Sequence, residues 1–309
     1  MRLRSIMLLL AAVAPLFVAA PAIAGTISSG AYDVQINGIV GNLNDQAGSG
    51  VIFRRNADGY DPIIPGTPRA AWGVSASGVS GFADGAFFGN SNLVANGSTF
   101  LGSSATVSTF LDSGSGSILR IDQAYSFAAA NVLKICTTVT NVSGSAQAVL
   151  FAHNVDWDVA PTPFSEIIKV DPLSGNVIRS SFYGFENPDP TVLFGSNAGP
   201  AGGTFGPGDL GGGLVLDLGT LAAGASSSFV IFHALNDIGQ DEAGLRAQLT
   251  ALGASFLITG IDSAGGSNVA ALGVGPKVAV PEPATMTLLG LGVAGLFGYR
   301  ARSRKVAVA

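Results

Sequence analysis

The chain has 309 residues, 43 glycines, 11 % charged side chains and a formal net charge of -5. That length can bury a sizeable core, and so much glycine argues against a mainly helical body, because glycine weakens helices yet fits tight reversals. Between Gly25 and Val280 only 9 lysines and arginines face 19 acids, which disfavours nucleic acid as a partner, since phosphates are held by clustered cations.

The first segment reads as an export signal. Arg2 and Arg4 precede the apolar run "SIMLLLAAVAPLFVAA", and Ala22 and Ala24 occupy the small-residue positions that signal peptidase needs. Residues 1–24 are therefore expected to be a signal peptide cut between Ala24 and Gly25. Export into an oxidising compartment usually brings disulfides, yet Cys136 is the sole cysteine, so the core must hold the fold alone. Cys136 lies in the strand-like run "NVLKICTTVTN", where a lone cysteine reads as a small packed residue rather than a nucleophile.

From 25 to 275 strand signals recur between glycine, serine and asparagine turns. They are "AYDVQINGIV", "GSGVIFRR", "STFLGSSATVSTFLD", "SILRIDQAYSF", "NVLKICTTVTNV", "QAVLFAHNVDWDV", "SEIIKVDP", "GNVIRSSFYG", "GGGLVLDLGTL" and "SSSFVIFHAL". "NVSGSAQ" suits the turn of a hairpin, and antiparallel pairing is expected throughout. One stretch differs: "DIGQDEAGLRAQLTALG" has Leu245, Leu249 and Leu252 at helical spacing, early acids and Gly253 as a stop. No repeat of fixed period appears. The expected fold is mainly β, an antiparallel β-sandwich-like ectodomain with one short helix.

Three groups in this body carry candidate chemistry. "FRRNADGYDPIIPGTPRAAWG" combines Arg54, Arg55, Tyr60, Arg69 and Trp72; arginines and aromatic rings of this kind stack on and bond to sugars, and also serve as ordinary packing and local ion pairs. In "FAHNVDWDVAPTPFSE", strand alternation puts Phe151, His153, Val155, Trp157 and Val159 on one face and Asn154, Asp156 and Asp158 on the other. The plainest reading of that oxygen-bearing face is a solvated side of an antiparallel sheet. Alternatives are a calcium site from Asn154, Asp156, Asp158 and Glu166, and a glycoside hydrolase with Asp156 and Asp158 as acid and base. His153 and His233, the only histidines, sit in apolar strand patterns and read as packed, hydrogen-bonded residues. "GPGDLGGG" and "GPAGGTFG" lack the Lys-Ser/Thr of a phosphate loop, and no zinc cluster is available. No catalytic residue and no cofactor beyond calcium is expected.

Residues 276–283 form a Pro-punctuated linker ending in Pro281-Glu282-Pro283. From Ala284 to Tyr299 there is no charge; such a run makes a helix of about 24 Å, a little short of the hydrocarbon core of about 30 Å but extendable by snorkelling arginines. Arg300, Arg302, Arg304 and Lys305 follow. Their position predicts a transmembrane helix over 284–299, a cytoplasmic tail over 300–309 and the body outside the cytoplasmic membrane.

Triplet, apolar run and basic cluster in this order resemble the PEP-CTERM sorting tail of exopolysaccharide-producing Gram-negative bacteria. The resemblance implies handling by an exosortase, a membrane-embedded cysteine protease or transpeptidase that recognises the Pro-Glu-Pro region, and delivery to the cell surface or extracellular matrix. The prolines keep the junction extended and unable to join the helix behind it. Two internal segments, "GVIFRRNADGYDPIIPGTPRAAWGV" and "HNVDWDVAPTPFSE", resemble an extracellular domain that recurs among proteins with such tails; it brings no assigned activity and no site residues. The combined expectation is a non-enzymatic surface or biofilm-matrix protein, with a calcium- or glycan-binding module, the glycan being exopolysaccharide, as the alternative.

Overall fold

The computed structural model describes residues 24–44, 50–192 and 202–280. The expected signal peptide up to Ile23, including Ala22, lies outside the described residues. So do Pro281, Glu282, Pro283, the expected transmembrane helix 284–299, and Arg300, Arg302, Arg304 and Lys305. Among the described residues no helix is long and apolar enough to cross a membrane.

The first strands, β1 (Ala24–Ser28), β2 (Tyr32–Asn37) and β3 (Phe53–Arg55), make a small antiparallel sheet. Ala24 and Gly25, which flank the expected signal cleavage, thus pair with Asn37 and Ile36. β4 (Ala70–Ala76), β5 (Val79–Asp84) and β6 (Gly89–Ser91) begin a six-stranded sheet, and β7 (Leu93–Phe100), β8 (Ser104–Asp112), β9 (Ser117–Ala129) and β10 (Val132–Asn141) form a meander in a ten-stranded one. The chain then changes sheet at every link. β11 (Gln147–Asp156) joins the smaller sheet, β12 (Glu166–Val170) the larger, β13 (Val177–Ser181) the smaller, β14 (Gly203–Gly208) the larger, β15 (Gly211–Leu221) the smaller and β16 (Ser226–Leu235) the larger. After helix α1 (Glu242–Ala251), β17 (Phe256–Asp262), β18 (Val269–Val274) and β19 (Val278–Val280) complete the larger sheet. The strand orders are β13-β15-β11-β4-β5-β6 and β14-β12-β17-β18-β16-β10-β9-β8-β7, with β19 also on β16.

Alternation explains how the sheets bury one side. In β10, Leu133, Ile135, Thr137 and Val139 are buried, while Lys134, Cys136 and Thr138 between them are half-exposed. The inner faces meet in one hydrophobic cluster, where Phe151 of β11 packs on Phe229 of β16 with centroids 4.8 Å apart and stacks on Trp72 at 5.6 Å. The fold is therefore mainly β with antiparallel sheets, as expected. Helix α1 is capped by the Asp241 carboxylate, which accepts the Gly244 N–H at 2.8 Å, and buries Leu245 and Leu249 against Phe232, Ala234 and Ala271.

Two local expectations change. "NVSGSAQ" does not close a hairpin: β10 pairs with β9 and β16, β11 with β15 and β4, so residues 142–146 arch from one sheet to the other. The arch lies beside the β15–β16 link, and the buried Asn141 amide ties the two together by donating to the carbonyls of Ser145, Leu221 and Ala222. The linker also begins later than expected, because Val278, Ala279 and Val280 pair with Ser228, Ser227 and Ser226 of β16, a stretch that β18 leaves open.

Candidate functional site

β11 carries the densest chemistry, but its oxygen face is not solvated. Asn154 and Asp156 point to the outer side of the six-stranded sheet, and both are buried there, as are Asp158 and Glu166. Their cover is a strap, residues 182–189, which crosses β15, β11 and β4. The Asn154 side-chain amide donates to the Glu186 carbonyl at 2.9 Å, and the Arg69 guanidinium donates to the carbonyls of Gly184 and Glu186. Glycines set the spacing. A Cβ on Gly184 would lie 2.6 Å from the Asp156 Cα, one on Gly211 2.7 Å from the Gly184 Cα, and one on Gly73 2.0 Å from the Pro188 carbonyl oxygen. Asp158 is roofed separately: its N–H donates to the Pro62 carbonyl at 2.6 Å, and a Cβ on Gly66 would meet its Oδ2 at 3.2 Å. The two internal segments singled out in the sequence therefore meet here, since the Asp156 N–H also donates to the Arg69 carbonyl.

Closing the acids off from water changes their protonation. Asp156 is pushed up to about 8, first by burial and then by the charges of Asp158 and Asp209. Burial and the neighbouring Glu166 and Asp209 push Asp158 up to about 7. Glu166 is also raised by burial, against the opposing N–H donors of Leu210 and Val159. Oδ1 of Asp156 has no hydrogen-bond partner, and at Asp158 the Phe164 N–H opposes the rise without undoing it. Protonated carboxyls at neutral pH are the physical response to such burial. The four residues of the expected calcium site are brought to one end of β11 without converging: among the described residues, no three His, Cys, Asp or Glu side chains are placed to hold an ion. For acid–base chemistry both carboxyls are raised alike by burial, and access is lacking, since Asp156 and Asp158 are 2 % and 1 % exposed.

The histidines are buried and bonded, as their strand patterns suggested. His153 of β11 and His233 of β16 join the two sheets through an Nε2–Nε2 hydrogen bond of 2.7 Å. One ring is therefore donor and the other acceptor, both neutral. Burial pushes His153 down to about 3, and His233 falls well below its ordinary value from burial and from the repulsion that protonating both rings would bring.

The expected glycan group does not form one surface. Trp72 is fully buried and donates its indole N–H to the Val40 carbonyl at 2.9 Å. Arg69 is buried too, paired with Asp84 at 2.8 Å. Arg55 is turned inward, bonding Asp58, the Asn236 carbonyl and Asn268 and lying over the Tyr60 ring, while Arg54 pairs with Asp33 at the surface. The aromatic rings that do reach solvent were not singled out: Phe87 is 60 % and Phe88 40 % exposed, at the β5–β6 turn. Their signal in the sequence is "DGAFFGN", two aromatics in a glycine-flanked turn where no strand face can bury them.

No curated protein matches the chain. A solved structure, a galactose mutarotase-like protein from Lactobacillus casei ATCC 334, gives a TM-score of 0.38 at 10 % identity over 83 % of this chain and 95 % of that one; a likeness of that size carries no argument. Residues 279–305 match the family model of the PEP-CTERM protein-sorting motif, so the chain carries the exosortase sorting signal to which its Pro281-Glu282-Pro283 triplet belongs.

Proposed function

We propose that the chain is a non-enzymatic surface or extracellular-matrix component. Signal peptidase would free it at Gly25, the 284–299 helix would hold it transiently in the cytoplasmic membrane, and exosortase would release it near Pro283. The observation that carries this reading is the sorting motif over residues 279–305, which starts inside the last strand of the body. The absence of catalysis is supported by the body itself: its pKa-shifted acids lie beneath the 182–189 strap and the Gly66 loop rather than in an open cleft. A hydrolase would need both carboxyls within reach of a sugar.

The test is the double substitution Pro281→Ala with Pro283→Ala, followed by fractionation. The expected result is full-length protein retained in the inner membrane, with the body still folded. Normal release of the double variant into the medium would overturn exosortase handling.

A further inference from the structure

The exposed rings at the β5–β6 turn are held in place by buried machinery. Asp84, at the end of β5, splits its two oxygens. Oδ1 accepts the N–H groups of Ala86 and Phe87 at 3.3 and 3.2 Å, shaping the turn, while Oδ2 accepts Nε and Nη2 of Arg69 at 3.0 and 2.8 Å. The Arg69 guanidinium then lies 5.6 Å from the Phe88 ring centre and 5.9 Å from that of Phe185, which belongs to the strap. Phe87 packs against both neighbours, 5.0 Å from Phe88 at 71° and 5.8 Å from Phe185 at 57°, and Tyr183 extends the cluster at 5.6 Å from Phe185. Four aromatic rings from two separate segments thus make one partly exposed cluster.

Exposed aromatic surface of this kind costs free energy in water and marks an interaction site. Its surroundings define the partner. Neither 84–91 nor 182–189 contains a lysine or arginine; Asp84 and Glu186 are buried, so the polar groups that reach the surface are Asn90, Ser91, Asn187 and Asp189. Arg69 is engaged with Asp84 and two carbonyls, and Arg179, beside the strap, with the carbonyls of Pro190 and Val192 and the charge of Asp189. Neither aromatic segment thus offers a cation of its own to pair with an anionic lipid surface, a nucleic acid or an acidic polysaccharide. A neutral pyranose suits both parts. Its C–H face stacks on the electron-rich ring faces, and its hydroxyls bond to the amides of Asn90 and Asn187 and the carboxylate of Asp189 at the rim. The ring–ring contacts restrict Phe87 and Phe88 before a sugar docks, which lowers the side-chain entropy lost on binding.

The geometry points to a binding site for neutral polysaccharide on Phe87, Phe88, Phe185 and Tyr183, with Asp84 and Arg69 as positioning residues. This goes beyond the sorting assignment and does not depend on it.

The test is native affinity electrophoresis of the full chain in non-ionic detergent, through gels containing hydroxyethyl cellulose, dextran, galactomannan or alginate. The expected result is retardation by at least one of the three neutral polymers and none by alginate. Phe87→Ala with Phe88→Ala should weaken it at least tenfold at an unchanged melting temperature. Phe87→Tyr keeps an aromatic face and should retain binding, whereas Phe87→Leu, apolar but not aromatic, should lose it; this pair separates stacking from general apolar contact if the double variant fails to fold. Passage through all three neutral gels without retardation, undiminished binding by the alanine double variant, or equal retardation by alginate would each overturn the site.

Discussion

Raising the pH should weaken the fold in a way set by two carboxyls, and one substitution should remove the effect. Asp156 and Asp158 keep their protons in the folded chain up to about 8 and about 7, but ionise near about 4 once unfolded. Their folded pKa values lie above the unfolded ones, so the stability they contribute is complete below about pH 4 and is lost as pH rises through 7 and 8. At about 1.4 kcal/mol per pKa unit, ionisation of the unfolded chain costs about 4 kcal/mol of stability between pH 6 and pH 9 for the two groups together. His153 and His233 act in the opposite sense. Held neutral when folded, they are protonated in the unfolded chain below about pH 6.5, so the same rise in pH returns about 2 kcal/mol. The net loss is about 2 kcal/mol. Asp156→Asn removes the larger contribution, about 3 kcal/mol, and should leave a nearly flat profile. Urea unfolding of both proteins across this range, read by tryptophan fluorescence, measures it; Trp72 and Trp157 are both buried. A wild-type protein whose stability is level or rises toward pH 9, or an Asp156→Asn profile that falls as steeply, would refute the linkage.

His153→Leu leaves the Nε2 of His233 buried without a partner and should destabilise by about 1–3 kcal/mol, whereas the double variant with His233→Leu should recover part of that loss in a double-mutant cycle. Gly184→Ala drives a methyl into the Asp156 backbone; a loss of about 1–3 kcal/mol is expected, with faster amide exchange across 182–189 by mass spectrometry. Thermal melts with added calcium and with a chelator should coincide, since among the described residues no three acids converge; a calcium-dependent rise in Tm would restore the cation site at Asn154, Asp156, Asp158 and Glu166.

Strands with one wet and one dry side were among the most legible in the sequence. β8, β9 and β10 alternate, and their runs mark them. β4, "AAWGVSA", and β18, "VAALGV", were missed because every residue is buried, so no period of two survives in the sequence. Helix α1 was readable from Leu245 and Leu249 and from its Asp241 cap, all within one local window. The site was half legible. Alternation placed Asn154 and Asp156 together, but their burial depends on a strap some thirty residues later and on Gly73 and Gly211 from two other strands. Arg69 and Trp72 misled for the same reason: a residue type says what a side chain can bind, while its cover is decided by distant segments.

Strand β19 ends at Val280, and the triplet begins with the next residue, so no spacer separates the globule from its address label. An enzyme working at that junction must admit a bulky body at its mouth rather than a thread. A tug directed along the strand would load the three register pairs with Ser226, Ser227 and Ser228 at once, in shear, instead of peeling them one after another.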